Sequence, residues 1–482
     1  RIKRWADALG LQGWVRNQGD QVELQVSGTA SALQQLLAQL QGPQRVVQSA
    51  RIAPDQSDPF TQPGFSILPG VSMPADRLYQ VPADRGICAA CLQEFHDIAS
   101  SRYHYPFISC NDCGPRFSLL TRLPFARANT RYGQLPPCPQ CQAEFVDPEN
   151  RRFHSELISC AGCGPRLLLG APSAPGDAAV IDAALAPDQI VVRAVTCLEQ
   201  GGIVAVKSVS GMQLLVRADS QSAVQRLRRL KQRPHKPLAL LVPSLQWVEQ
   251  RAGVLFDLDS SASRWLAAPQ RPIVLLPKLH RPGIDPLIND VANAVAADVP
   301  DLGVMLPATA LQAWLAQAVM TQLGVPLVCT SANISDEPIL FRNEDLLSRV
   351  GGLCDLALLH DLEIDIPQDD SVLFTHRGRT TLLRRARGFA HAPFAVPVQE
   401  SVLAVGGDLK NTFALAQGGT AILGPHLGDM EAVATLQRQE FLLQKIAGLH
   451  DFIPNTIVAD AHPGYVSRPR AQRSAGNLSV AT

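Results

Sequence analysis

The sequence lacks three features that would assign it to a simple class. Its formal net charge is zero, so no overall electrostatic attraction favours nucleic acid or an anionic membrane. No apolar run reaches the roughly 18 residues that a membrane-spanning helix needs. The polar start, RIKRW, has no apolar signal core. We therefore expect a cytoplasmic protein with no membrane partner and, because the chain does not begin with Met, part of a longer one.

Cysteine is nearly absent outside one short stretch. Only Cys197, Cys329 and Cys354 lie elsewhere, and the other eight form four consecutive CxxC units. Such units place two thiolates on one tight turn, which suits a tetrahedral metal better than a disulfide framework. The predicted zinc ligands are Cys88, Cys91, Cys110, Cys113, Cys138, Cys141, Cys160 and Cys163.

The stretch is an internal repeat with a period of 50 residues. Each copy is CxxC, 18 residues, CxxC, followed by Gly-Pro-Arg, and His104 and His154 also correspond. A unit this small has no core of its own, so bound metal would stabilise it. Four thiolates per ion leave no open coordination position, which indicates two structural zinc ions.

Alternatives for this stretch are a redox CxxC or an iron–sulfur site. The repeat favours one ion per copy, but an interleaved pairing of the outer and the inner CxxC pairs is also open. We interpret the two histidines as packing or outer-shell residues, since eight cysteines already saturate two ions.

The sequence predicts a multidomain α+β and α/β protein of about three or four domains. Residues 1–70 alternate helix and strand patterns, including a strand at Val46–Ile52. The cysteine module covers 85–168, after which Gly170–Asp177 reads as a linker. Helices alternate with buried strands over 185–393. Residues 398–482 begin with a hairpin, as another α/β domain would.

Basic residues gather beside one predicted strand. Lys207 follows the apolar run 203–206, and Arg233 and Lys236 lie in the proline-bounded string KQRPHKP. Fixed cations at a strand end suit a triphosphate, although a solvated basic helix face is the alternative. No G-x-x-x-x-G-K-[ST] occurs, which excludes a P-loop.

Small donors follow another predicted strand, at Ser331 and Asn333, where they could contact a ligand or simply cap a helix. An Asp-Asp-Ser at 369–371 could hold a metal or a ribose, but an ordinary turn is the simpler interpretation. His426 and Asp429, in GPHLGD, are ambiguous taken alone.

In this order, the motifs resemble the HypF family of carbamoyltransferases, which mature nickel–iron hydrogenases. The resemblance rests on YPFISCNDCGPR and RRFHSELISCAGCGPR, then on RLRRLKQRPHKPLALLV, TSANISDEPI, RRARGFAHAP, AVGGDLKNTFAL and DAHPGYVS. It implies an incomplete acylphosphatase-like domain of ferredoxin type, the duplicated zinc module, a YrdC-like domain and the start of a Kae1-like domain of the actin/Hsp70 type.

The resemblance also implies a reaction. Carbamoyl phosphate is cleaved, the carbamate is adenylated with ATP and magnesium, and the carbamoyl group passes to the C-terminal cysteine of the partner HypE. Asn17 matches an acylphosphatase asparagine that contacts the attacking water. Lys207, Arg233 and Lys236 would face the phosphates, with Ser331 and Asn333 near the acyl group.

The sequence departs from the family at several points. KSVSGMQL stands where KGIGGFHL is usual, and Gln368 stands where an arginine is expected. The acylphosphatase phosphate loop and the second half of the Kae1-like domain would lie outside the chain. Competing hypotheses are an RNA-binding protein, a threonylcarbamoyl-adenylate-type YrdC protein and an inactive truncated copy.

Overall fold

A computed structural model describes residues 2–18, 21–41, 64–71, 78–171, 180–279, 291–297, 299–349, 351–467 and 479–481. The first unit is a three-stranded sheet of order β2-β1-β3 with two helices packed on it. Its helices are α1 (Ile2–Ala8) and α2 (Ala30–Gln41), and its strands are β1 (Gln12–Gln18), β2 (Gln21–Ser27) and β3 (Phe65–Ile67). The predicted strand at Val46–Ile52 lies outside the described residues.

The cysteine module is built from loops, single helical turns and one short helix per repeat. These helices are α3 (Ala89–Phe95) and α4 (Pro139–Val146). Each begins directly after the first cysteine of its repeat, and the Cys88 Sγ accepts the Cys91 N–H at 3.4 Å. The CxxC pair is therefore carried on the first helical turn.

The second unit is an eleven-stranded mixed sheet in the order β14-β13-β9-β10-β8-β11-β7-β6-β12-β4-β5. Its strands are β4 (Leu167–Ala171), β5 (Val180–Asp182), β6 (Val204–Lys207), β7 (Met212–Arg217), β8 (Ala239–Leu241), β9 (Ile273–Pro277), β10 (Asp301–Met305), β11 (Leu327–Ser331), β12 (Leu356–His360), β13 (Val372–His376) and β14 (Arg379–Arg384). Its helices are α5 (Pro187–Glu199), α6 (Gln221–Leu230), α7 (Leu245–Arg251), α8 (Ser260–Ala267), α9 (Ala310–Leu323) and α10 (Asn343–Arg349).

This sheet begins earlier than the sequence predicts. Strand β4 takes in the end of the predicted cysteine module and the first two residues of the predicted linker, and its residues Leu167–Gly170 pair with β12. The sheet therefore starts at Leu167 rather than near residue 185. Leu167, Leu168 and Leu169 are all buried, as expected of a strand covered on both faces.

The third unit is a six-stranded sheet of order β15-β18-β17-β16-β19-β20 with one long helix, α11 (Val433–Leu449). The strands are β15 (Phe394–Ala395), β16 (Val402–Ala404), β17 (Ala414–Gln417), β18 (Thr420–Leu423), β19 (Thr456–Val458) and β20 (Ser479–Ala481). The predicted hairpin is present as β16 and β17, which pair antiparallel. None of the described helices is long and apolar enough to cross a bilayer.

One buried carboxylate joins three of these units. Asp365, in the segment after β12, has a fully buried side chain. It accepts from Arg131 of the cysteine module at 2.8 Å and from Lys445 of α11 at 2.8 Å. Nearby, the buried Asp84 accepts the Ser118 hydroxyl at 3.0 Å and the Gln368 amide at 2.9 Å. Two desolvated carboxylates thus fix this segment: Asp365 within it, and Asp84, which precedes the cysteine module and binds Gln368.

Asp365→Ala is expected to leave Arg131 and Lys445 without their shared acceptor. Bonds to charged groups contribute about 2 kcal/mol, so the opening free energy of α11 should fall by about that much. Hydrogen exchange of the α11 amides measures it. Asp361→Ala, which breaks the exposed pair with Arg166, is the control and should cost less than about 1 kcal/mol. Equal effects of the two variants would contradict the role of Asp365.

Candidate functional site

Eight cysteine sulfurs form two compact groups. In the first group Cys88–Cys110 and Cys91–Cys113 are 3.7 and 3.5 Å apart. In the second group the corresponding distances are both 3.7 Å. A tetrahedron with metal–sulfur bonds of about 2.3 Å has edges of about 3.8 Å. The two groups therefore have the size that zinc requires.

The sulfurs group within each repeat. All four Sγ atoms of one repeat lie within 4.8 Å of one another, and so do those of the other repeat. The interleaved pairing does not match this arrangement. His104 stacks on Tyr103 and Trp314, and its Nδ1 lies 2.5 Å from an oxygen of Asp188. His154 packs on Phe145 in the same way, so both histidines contribute to packing.

The second candidate site is a cleft of about 670 Å³ between the second and third units. The second unit contributes the loop after α6, the end of β11 and the segment around Asp369. The third unit contributes the loops around Thr412 and His426. Strand ends and loops of two units thus converge on one space, as is common for ligand sites.

Lys231 binds the loop that carries Ser331 and Asn333. Its side chain is buried, and its Nζ donates to the Ser331 carbonyl at 2.6 Å and to the Asn333 carbonyl and Oδ1 at 2.7 and 2.9 Å. The Ser331 hydroxyl donates to the same Asn333 oxygen at 2.7 Å. Burial lowers the pKa of Lys231 to about 7. The lysine therefore fixes the loop after β11.

Two further cations lie beside it. Arg233 is half-buried and donates to the Thr330 hydroxyl at 3.4 Å and to the Pro237 carbonyl at 2.6 Å. Burial lowers the pKa of Arg233 to about 10, so it stays charged near neutral pH. Lys236 is exposed and forms an ion pair with Asp336. These side chains face the cleft rather than forming a solvated helix face.

The structure does not bring Lys207 to this cleft, which corrects the predicted grouping. Its Nζ donates to the His360 and Leu362 carbonyls at 3.1 and 2.9 Å. It lines a separate, mostly apolar cavity of about 50 Å³ that Phe107 and Tyr132 of the cysteine module close. Its acceptors belong to the backbone after β12, so its role in this fold is to hold that segment.

Lys231 is the first residue of the basic string KQRPHKP, but it was not among the predicted site residues, although a signal for its burial exists. Buried positions of α6 are Ala223, Val224 and Leu227. Lys231 is four residues after Leu227 and seven after Val224, so helical periodicity extends the buried face to it. A lysine on an apolar helix face needs acceptors, and here three oxygen atoms supply them.

The structure also places Asp370, Asp429 and Asn17, the first two of which had more than one possible role in the sequence. Asp370 accepts from Arg387 at 2.7 Å and from Gln213 at 2.7 Å, so both its oxygens are used within the protein. The Asp429 carboxylate accepts the Lys410 N–H at 2.8 Å at the cleft wall. The backbone of Asn17 lies in β1 opposite Val22, and its side chain lies outside the described part.

Family models match most of the chain. The models described as acylphosphatase, HypF finger, telomere recombination and HypF Kae1-like domain match residues 1–67, 87–120 with 138–169, 196–386 and 397–481. The telomere recombination model covers the Sua5, YciO and YrdC proteins. The second and third units therefore correspond to the YrdC-like and Kae1-like domains.

Named relatives agree with these matches. Carbamoyltransferase HypF2 of Cupriavidus necator is 38% identical over 99% of this chain and 59% of its own length. Carbamoyltransferase HypF of Synechocystis is 37% identical over 98% of this chain and 58% of its own length. A crystal structure of full-length HypF in the phosphate- and nucleotide-bound form is 30% identical, with a TM-score of 0.86 over the whole of this chain and 60% of that one. The chain thus spans about 60% of these proteins.

The metal content of the purified chain checks the sulfur geometry. We expect two zinc ions, one for each group of four thiols. Cys110→Ser removes one ligand of the first group and should lower the content to about one ion per chain. Cys197→Ser, outside both groups, is the control and should leave two. Atomic emission on the desalted protein measures this, and unchanged zinc in Cys110→Ser would refute the assignment.

Proposed function

Because the chain belongs to the HypF family of carbamoyltransferases, we propose that it forms carbamoyl-adenylate in the cleft between its second and third units. Carbamate released from carbamoyl phosphate attacks the α-phosphorus of ATP, bound as its magnesium salt, and pyrophosphate leaves. The carbamoyl group then passes to the thiol of the C-terminal cysteine of the partner HypE and AMP leaves, a step that serves hydrogenase maturation. The observation that carries this proposal is the convergence of three cations, of which Lys231 is buried, and of small donors in one cleft.

The cations suit the phosphate end of ATP. Arg233 can present a planar fork to phosphate oxygens, and Lys236 can leave Asp336 for a stronger anion. Charge builds on the pyrophosphate as it leaves, so donors already in place stabilise the transition state without reorganisation. This role replaces the one that the sequence suggested for Lys207.

The small donors suit the carbamate end. Lys231 holds the Ser331 and Asn333 backbone, and the hydroxyl and amide of these residues lie at the cleft surface. A planar carbamate offers two oxygens and one amine, which such donors and acceptors can orient. In the first unit, Asn17 would orient the water that attacks carbamoyl phosphate.

The eight cysteines have a separate role in this proposal. Each group of four holds one zinc ion, whose thiolates fill its coordination shell, so the ions fix the module rather than take part in transfer. The module in turn supplies Arg131 to Asp365 and closes the cavity around Lys207. Its contribution to the reaction is therefore mechanical.

Lys231→Met is expected to weaken ATP binding by about 10- to 100-fold, because the cleft loses a positive charge, worth about 1.5–3 kcal/mol in such interactions, and the loop after β11 loses the bonds that hold it. Lys207→Met should leave the affinity within about two-fold, although both variants remove a buried lysine. Isothermal titration of the chain with magnesium ATP measures both affinities. A larger loss in Lys207→Met than in Lys231→Met would overturn the proposed site.

ATP affinity should also depend on pH. The pKa of Lys231 is lowered by burial to about 7, so the group is increasingly neutral above that pH, and bound phosphates favour its charged form. The affinity is therefore expected to fall as the pH rises from about 7.5 to 9. Lys231→Arg keeps a fixed charge and should flatten the profile. An unchanged slope in that variant would assign the dependence to another group.

A further inference from the structure

The two cysteine repeats are joined by reciprocal hydrogen bonds. Arg102 of the first repeat donates its Nε to the Ser159 carbonyl of the second at 2.9 Å. Arg152 of the second repeat donates its Nε to the Ser109 carbonyl of the first at 3.0 Å. Arg102 and Arg152 are 50 residues apart, and so are Ser109 and Ser159, which is the period of the repeat. The two copies therefore pack as near-equivalent halves, each completing the other.

Two glutamates lie between these arginines. Glu94 accepts from Arg152 at 2.8 Å and from Arg102 at 3.3 Å. Glu144 accepts from Arg102 at 3.0 Å and forms an ion pair with Arg152 at 3.5 Å. Arg102 and Arg152 are only 2% and 3% exposed. Because Arg151 also pairs with Glu94, three guanidinium groups face two carboxylates.

Two of these guanidinium groups also lie beside cysteine sulfurs, in each case those of the other repeat. Arg102 Nη2 of the first repeat lies 3.4 Å from Cys141 Sγ in the second group. Arg151 Nη1 of the second repeat lies 3.1 Å from Cys91 Sγ in the first group. Four thiolates on a divalent ion carry two net negative charges, which such donors stabilise.

We propose that the two metal sites form one cooperative unit, coupled by the crossed bonds of Arg102 and Arg151 to the sulfurs of the opposite repeat. This inference rests on the two-zinc assignment made above. It adds that loading one site raises the affinity of the other, which independent structural sites would not do.

The coupling has a direct physical cause. Loading the first group orders its repeat and fixes the position of Cys91 Sγ, which holds Arg151 and the backbone around it in the second repeat. The second group then pays less ordering entropy when it folds around its own ion. By linkage, loading the second group acts on the first to the same extent through Cys141 and Arg102.

Native mass spectrometry of the reduced chain at one equivalent of zinc measures this coupling. Independent sites of equal affinity would place about half of the molecules in the one-zinc state, whereas ten-fold coupling lowers that fraction to about a quarter. We expect a quarter or less for the unchanged protein. Arg151→Met, at a side chain that is 32% exposed, should raise the one-zinc fraction towards half.

Arg166→Met is the matched control, since Arg166 ends the second repeat but is 66% exposed and pairs with Asp361 outside the module. It should leave the distribution unchanged. Arg102→Lys, which keeps the charge but loses the fork, should also raise the one-zinc fraction. A half-loaded majority in the unchanged protein, or an equal shift in Arg166→Met, would refute the coupling. Failure to bind two zinc ions at saturation would instead refute the underlying assignment.

Discussion

The fold depends on polar side chains of the segment after β12 that bind residues of the neighbouring parts of the chain, with the buried Asp365 at their centre. Side chains of this segment are held in turn from different directions: Asp361 by Arg166, Asp365 by Arg131 and Lys445, and Gln368 by Asp84. The segment ends at the cleft, where Arg387 and Gln213 bind Asp370. A desolvated carboxylate is costly unless its partners are in place. Part of the support of this segment therefore comes from the cysteine module and from α11.

The same cost of burying charge gives the cleft its chemical preference. Burial lowers the pKa of both Lys231 and Arg233, so each is less stable as a cation here than in water. A bound polyanion would favour the charged form of both side chains. In the proposed reaction these donors would already be oriented when charge develops on a phosphate.

Sequence patterns predicted the local elements better than the site. The periods of α6 and of the strands around it were readable, and so was the cysteine repeat. The sequence groups Lys207 with the cations of the cleft, whereas the structure does not. A lysine after an apolar strand has the same local pattern whether its side chain faces a ligand or the backbone carbonyls of a neighbouring strand, here β12. The predicted linker begins at Gly170, within β4, because only the pairing with β12 identifies Leu167–Ala171 as a strand. Both differences concern long-range partners, which local spacing does not encode.

The cysteine repeats look equivalent in sequence but have unequal support in the fold. Cys91 and Phe95 of the first repeat belong to the same buried cluster as Trp314 of the second unit. In the second repeat the buried cluster that contains Cys141 has only Ile158 and Cys160 as further fully buried members. A second small cluster packs Leu157 of this repeat against Tyr132 and Leu362. Cores of this size contribute little against the entropy of ordering a repeat, so we expect the second repeat to depend more than the first on bound metal and on the crossed arginines.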